Sequence, residues 1–164
     1  MYVDYATNTW WIDSGATVHV ANFLQGFATK MTLRKGEIKI RVANGVEVEA
    51  GTVGVFTLLL HTGFEFQLIN VLYIPSMKRN LVSVSCLDDD DDFDCNFENK
   101  KCIIMYNENN VGFAIRQDKL YLISTNDAIN NVVSTPDNKR KRNDNETSSK
   151  LWHYRLCHIS RGED

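Results

Sequence analysis

Between Trp10 and Ile123, apolar residues recur mostly at every second position, in short runs cut by turn-forming residues. That period commits the chain to β structure, because successive side chains of a strand point to opposite faces. Glu37 to Ala43 is the cleanest case, with Ile38, Ile40 and Val42 on one face and Lys39 and Arg41 on the other. Asn44-Gly45 follows, a strong hairpin signal, and Val46 and Val48 then alternate with Glu47 and Glu49 on the return. Basic side chains face acidic ones in that hairpin, as cross-strand neighbours prefer. Gly51 and Gly54 mark bulges or bends. Val53 to Leu60 and Phe64 to Ile74 read as strands, separated by the turn His61-Thr62-Gly63 and closed by Pro75. Leu81 to Leu87 suits a strand passing into a short helix. Phe93 to Phe97, Cys102 to Tyr106, Val111 to Ile115 and Leu120 to Ile123 look like short strands between turn-rich separators. Lys30 to Lys35 reads as a basic, solvated connection, and Val18 to Phe27 as either a short strand or one helical turn. The expected fold is all-β, a closed or nearly closed barrel over residues 10–125 with little helix.

Composition matters chiefly for what surrounds that barrel. Residues 126–149 are Asn, Asp, Ser, Thr and Lys with few apolar side chains, so a flexible linker is expected there. Lys139-Arg140-Lys141-Arg142 within it fits either a solvated linker cluster or a nuclear-import or nucleic-acid patch. Apolar residues return in a short C-terminal segment, 150–164. A net charge of −3 gives no global field toward nucleic acid, so nucleic-acid binding by the β domain is not expected. Val53 to Leu60, the longest apolar run, is too short to span a bilayer as a helix, and no membrane association is expected. Met1 to Thr9 contain neither a basic start nor an apolar run. The four cysteines form no Cys-x-x-Cys pair, so reduced thiols in the cytoplasm or nucleus are expected, with Cys86, Cys95 and Cys102 in the core. Asp88 to Asp92 reads as a solvated, self-repelling loop, since it lacks the spaced oxygen ligands and glycine of a calcium loop.

The stretch that carries chemistry is Trp10 to His19. Trp10-Trp11-Ile12 is a bulky strand end, and Asp13-Ser14-Gly15 then places a carboxylate on a tight turn. Asp-Ser-Gly has the shape of an aspartic protease loop, in which the carboxylate activates a water and the hydroxyl braces the loop. The same three residues are common turn formers, so the tripeptide alone leaves a plain turn open.

More of the chain supports the first reading. Trp11-Ile12-Asp13-Ser14-Gly15-Ala16-Thr17 with His19 resembles the protease start of copia-type retrotransposon Gag-Pol polyproteins. Asn70-Val71-Leu72-Tyr73-Ile74-Pro75, followed by Arg79-Asn80-Leu81-Val82-Ser83-Val84-Ser85, resembles the same family in the same order. Leu120-Tyr121-Leu122 is similar to the end of its β domain, and Leu151-Trp152-His153 to His158-Ile159-Ser160 to the opening of its pre-integrase zinc segment. The resemblance implies a retropepsin-like barrel with aspartic endopeptidase activity on its own polyprotein. Asp13 would be the catalytic carboxylate, Ser14 the bracing hydroxyl and Gly15 the turn glycine. Asn44 and Gly45 would form the tip of a substrate-binding flap, and Leu81-Val82-Ser83 would pack beneath the active-site loop.

That chemistry needs two carboxylates sharing a proton around a water. The chain has one Asp-Ser-Gly, so a working site requires a homodimer with Asp13 from each copy on a two-fold axis. No cofactor and no metal are expected. His153 and His158 are at most half of a four-ligand zinc site, and Cys157 stands where the family usually has Gly. The alternative is a non-catalytic β-barrel module from a degenerate or domesticated retroelement, favoured by the acid run and by the incomplete zinc segment.

Overall fold

The structure, a computed structural model, describes residues 8–126. Its strands are β1 (Trp10–Asp13), β2 (Val20–Ala21), β3 (Phe27–Thr32), β4 (Lys39–Arg41), β5 (Glu47–Glu49), β6 (Thr52–Leu59) and β7 (Glu65–Tyr73). They continue with β8 (Asn80–Ser83), the short helix α1 (Val84–Asp88), β9 (Phe93–Glu98), β10 (Lys101–Tyr106), β11 (Asn109–Gln117) and β12 (Leu120–Ile123). The described residues are all-β with one short helix, as the alternation predicts.

Ten strands form one sheet in the order β3-β6-β7-β2-β8-β1-β12-β11-β10-β9. The sheet curls on itself. An isolated bridge joins Leu60 to Thr125, the His61 N–H donates to the Ser124 carbonyl at 3.1 Å, and the Thr62 hydroxyl donates to the Val111 carbonyl at 2.5 Å. These contacts bring the end of β6 against β11 and the chain after β12. The result is nearly a barrel, with β3 and β9 left as edges. One apolar core fills it, running from Trp10, Ile12, Phe56, Leu58 and Phe66 to Ile104, Ala114 and Ile123. No helix among the described residues is long and apolar enough to cross a membrane.

Several local expectations are corrected. Lys30 is not in a solvated connection: β3 begins at Phe27 and runs to Thr32 as the edge strand on β6. Most of its side chains are exposed, so its residues carry no alternating burial signal. Val18 to Phe27 contributes only the two residues of β2 before turning. The strand expected over Glu37 to Ala43 is shorter, Lys39–Arg41. Cys102 is buried, whereas Cys86 and Cys95 are only half-buried. Asp88 ends α1, and Asp89 to Asp92 form an exposed or half-exposed turn into β9, as expected for like charges kept in water.

Of the stretch expected as a linker, Asn126 alone is described, and it is paired: its N–H donates to the Leu59 carbonyl at 3.0 Å. The rest of 126–149, with Lys139 to Arg142, and the segment 150–164, with His153, Cys157 and His158, lie outside the described residues.

Candidate functional site

Asp13 is the last residue of β1, which lies inside the sheet between β8 and β12. The two tryptophans and Ile12 before it are about 1% exposed, so the strand that carries the acid is anchored in the core while the acid itself is half-buried. Its Oδ1 accepts the Gly15 N–H at 2.8 Å, and its carbonyl accepts the Ala16 N–H at 3.4 Å. This is a short turn closed by its own carboxylate. Gly15 does not take a positive φ. Its value is space, because a Cβ there would stand 3.3 Å from Asp13 Oδ1.

The loop is held from a distant segment. β8 runs parallel to β1 with Trp10 opposite Asn80 and Asp13 opposite Ser83. Both ends of β8 are polar and fully buried. At the entry, Asn80 Nδ2 donates to the Thr9 carbonyl and its Oδ1 accepts the Asn22 N–H, both at 2.8 Å. At the exit, the Ser83 hydroxyl donates to the Ala16 carbonyl at 2.6 Å. It also accepts the Cys86 N–H at 3.3 Å, as the N-cap of α1. A hydroxyl has one hydrogen, so with that hydrogen on Ala16 the 2.9 Å contact with Ser85 makes Ser85 the donor. The Cys86 thiol reaches the Thr17 carbonyl at 3.3 Å. The Ser83 N–H goes to His19 Nδ1 at 3.0 Å. His19 is 2% exposed, and burial lowers its pKa to about 4, so the ring is neutral and its unprotonated Nδ1 is the acceptor.

The sequence-derived site residues fare differently. Ser14, expected as the brace, is exposed, and within one chain the bracing hydroxyl belongs to Ser83. Asn44 and Gly45 lie at the tip of the β4–β5 hairpin, which is a sheet of its own. Lys39 pairs with Glu49 and Arg41 with Glu47, and the Arg41–Glu47 ion pair spans 3.6 Å at the surface. The Val42 N–H donates to the Val46 carbonyl and the Gly45 N–H to the Val42 carbonyl. Gly45 has φ +81°, so the tip is a three-residue loop ending in a glycine bulge. The hairpin prolongs a larger one: Thr32 pairs with Thr52 on β3 and β6, then Leu33 bonds Gly51 and Ala50 bonds Ile38. Asn44 and Gly45 thus cap a long arm built from β3 to β6.

The resemblance placed Leu81-Val82-Ser83 beneath the Asp13 loop, and Ser83 bonds that loop at Ala16, but the hydrogen bonds made by His19, Asn80, Ser83 and Ser85 were not readable from the residues alone. The available signal was a polar residue at each end of the apolar Leu81-Val82. A cavity of about 320 Å³ opens near the start of β1, walled by Trp10, Phe23, Phe27, Phe56 and others. Asp13, at the other end of the strand, is not part of its wall. Among the described residues no cluster of three or more His, Cys, Asp or Glu side chains is placed to hold a metal ion.

Comparison with known proteins bears on this geometry. A family model described as Pol polyprotein, beta-barrel domain, matches residues 10–92, from β1 through the turn after α1. The Retrovirus-related Pol polyprotein from transposon RE1 of Arabidopsis thaliana is 31% identical over 80 residues. The match covers 49% of this chain and 5% of that polyprotein. No solved structure matches.

Proposed function

This chain belongs to the Pol polyprotein beta-barrel domain family of retrotransposons, and from that premise we propose that it is an aspartic endopeptidase acting on its own polyprotein. The observation that carries this reading is the setting of Asp13. A carboxylate stands half-buried at the end of an interior strand, on a turn closed by the Gly15 N–H and fastened by Ser83. Such a turn holds a carboxylate still at a surface another molecule can reach.

The reaction needs a second carboxylate. With one Asp-Ser-Gly per chain, the partner is Asp13 of a second copy, and the exposed Ser14 is free to brace the facing loop. One carboxylate takes a proton from the water as it attacks the scissile carbonyl, and the other, protonated, donates to the carbonyl oxygen. The arm ending in Asn44 and Gly45 would close over the bound polypeptide. The thiols of Cys86, Cys95 and Cys102 are free, which suits a reducing compartment, cytoplasm or nucleus.

The test is a fluorogenic peptide assay across protein concentration, paired with sedimentation. We expect cleavage to rise faster than linearly with concentration below the dimer dissociation constant and to be blocked by an aspartic protease inhibitor. Asp13→Asn should abolish it while the fold survives, since an amide still accepts the Gly15 N–H but cannot take up the water's proton. Cleavage by the Asn variant at the parent rate would end the dyad reading. A confirmed dimer with no cleavage would assign the chain to a non-catalytic β-barrel module instead.

A further inference from the structure

We infer that His19 is a positioning residue for the Asp13 carboxylate: by accepting the Ser83 N–H at Nδ1 it locks the β8–α1 junction onto the Asp13 loop. As a statement about catalysis this rests on the protease reading; as a statement about the loop it does not.

The geometry shows why a side chain is needed at this point. β2 and β8 run antiparallel with Val20 opposite Leu81. Continuing that register would put Val18 opposite Ser83, but β2 begins only at Val20. The backbone carbonyl that would have met the Ser83 N–H is therefore missing from the ladder. A buried N–H left without an acceptor is costly, and the imidazole fills the gap at 3.0 Å. Ser83 then spends its hydroxyl on Ala16, whose own N–H meets the Asp13 carbonyl. Two hydrogen bonds thus connect the ring to the residue that closes the Asp13 turn. Ser83 is also the register partner of Asp13 itself, so a shift of Ser83 moves the strand end beside the carboxylate.

Histidine brings a property that suits an acid-working site. An ordinary imidazole protonates near pH 6.5 and would lose its acceptor in mildly acidic solution. Burial keeps this one unprotonated down to about pH 4. The ionisable side chains on the elements around it are Asp13 on β1, Glu65 and Tyr73 on β7, and Cys86 and Asp88 on α1, with none on β8. Burial is the cause of the shift, so the acceptor is protected by the core rather than by a charged neighbour.

The experiment compares the full chain with His19→Asn, which can place an acceptor oxygen near the Nδ1 position, and His19→Phe, which fills the space without one. Long-range proton–nitrogen spectra of the wild type at neutral pH should show hydrogen on Nε2 and none on Nδ1. Ser83 amide exchange, referred to the core amide of Leu72, should quicken about tenfold in the Phe variant and stay near wild type in the Asn variant. Peptide cleavage should lose kcat with KM little changed in the Phe variant, and the Asn variant should recover most of it. Hydrogen on Nδ1 in the wild type overturns the clamp, and that measurement stands even where the Phe variant does not fold. Wild-type protection of Ser83 in a folded Phe variant overturns it equally. Equal loss in both variants would make His19 a matter of core volume and overturns it too. If the wild type cleaves nothing, the protease reading falls, while the ring and amide measurements still decide the clamp.

Discussion

At the scale of single residues, two serines near one acid have opposite environments. Ser14 sits beside Asp13 in sequence and is exposed; Ser83 is far along the chain, fully buried, and fastened to the Asp13 loop. Ser83→Ala should therefore destabilise one chain by about 1–3 kcal/mol, since it removes an N-cap and leaves the Ala16 carbonyl only the long Ser85 hydroxyl contact at 3.5 Å. Ser14→Ala should change the single chain by less than about 0.5 kcal/mol, as exposed substitutions do, and should act on association alone. Urea unfolding of the two variants at a concentration where the chain is monomeric separates them, and equal effects would defeat the assignment. The sequence showed where the acid stands because a strand end, an acid and a glycine are adjacent. Only the family resemblance placed Leu81-Val82-Ser83 beneath the Asp13 loop; the residues alone do not show it, because the brace depends on β8 lying parallel to β1, a pairing between segments about seventy residues apart with no local trace. The polar ends of Leu81-Val82 were visible, yet a buried asparagine and serine look like exposed ones until the neighbouring strand is known.

At the scale of elements, glycines mark where the long β3–β6 arm is constrained. Gly54 pairs with Lys30 just beyond the bulge in β3, and a Cβ there would come within 2.0 Å of the Thr29 carbonyl oxygen. Backbone cannot rotate aside as a side chain can, so Gly54→Ala should force the strands apart and cost about 2–4 kcal/mol. Gly45, at the tip, has open space around its Cβ direction but φ +81°. Gly45→Ala should cost only about 1 kcal/mol, the penalty of a left-handed residue. Denaturant titration of both checks the order, and a Gly54 variant as stable as the parent would mean that β3 slides freely on β6. The alternating strands were legible because each buries one face. β3 was not, because an edge strand with mostly exposed side chains has no face to advertise. β7 changes phase at Asn70, which takes φ 59°, so Phe66 and Leu68 give way to Val71 and Leu72 as buried residues. Periodicity alone shows that something breaks there, but not that an extra residue is accommodated without ending the strand.

At the scale of the whole molecule, acid has two opposed effects. On the proposed dyad, proton sharing between two Asp13 carboxylates would favour cleavage in mildly acidic solution, whereas His19 draws stability the other way. Its folded pKa of about 4 lies below the ordinary 6.5, so between these values the unfolded chain binds a proton that the folded chain refuses. Stability from this group is complete above about pH 6.5 and is lost as pH falls toward 4, by about 3 kcal/mol over the window. Other carboxylates also titrate on the way down, so the informative quantity is a difference. The gap in unfolding free energy between the wild type and His19→Asn should change by roughly that amount from pH 7 to pH 4, because asparagine does not titrate. Urea unfolding at pH 7, 5.5 and 4 measures it, and a gap that stays constant would mean that the ring reaches solvent when it protonates. For the proposed homodimer the same slope bears on activity, since only folded chains would associate. The acid limb of the cleavage profile should then follow the loss of folded chain, and raising protein concentration should shift that limb to lower pH through mass action on the dimer. A limb indifferent to concentration would instead place its origin in the protonation of the paired Asp13 carboxylates.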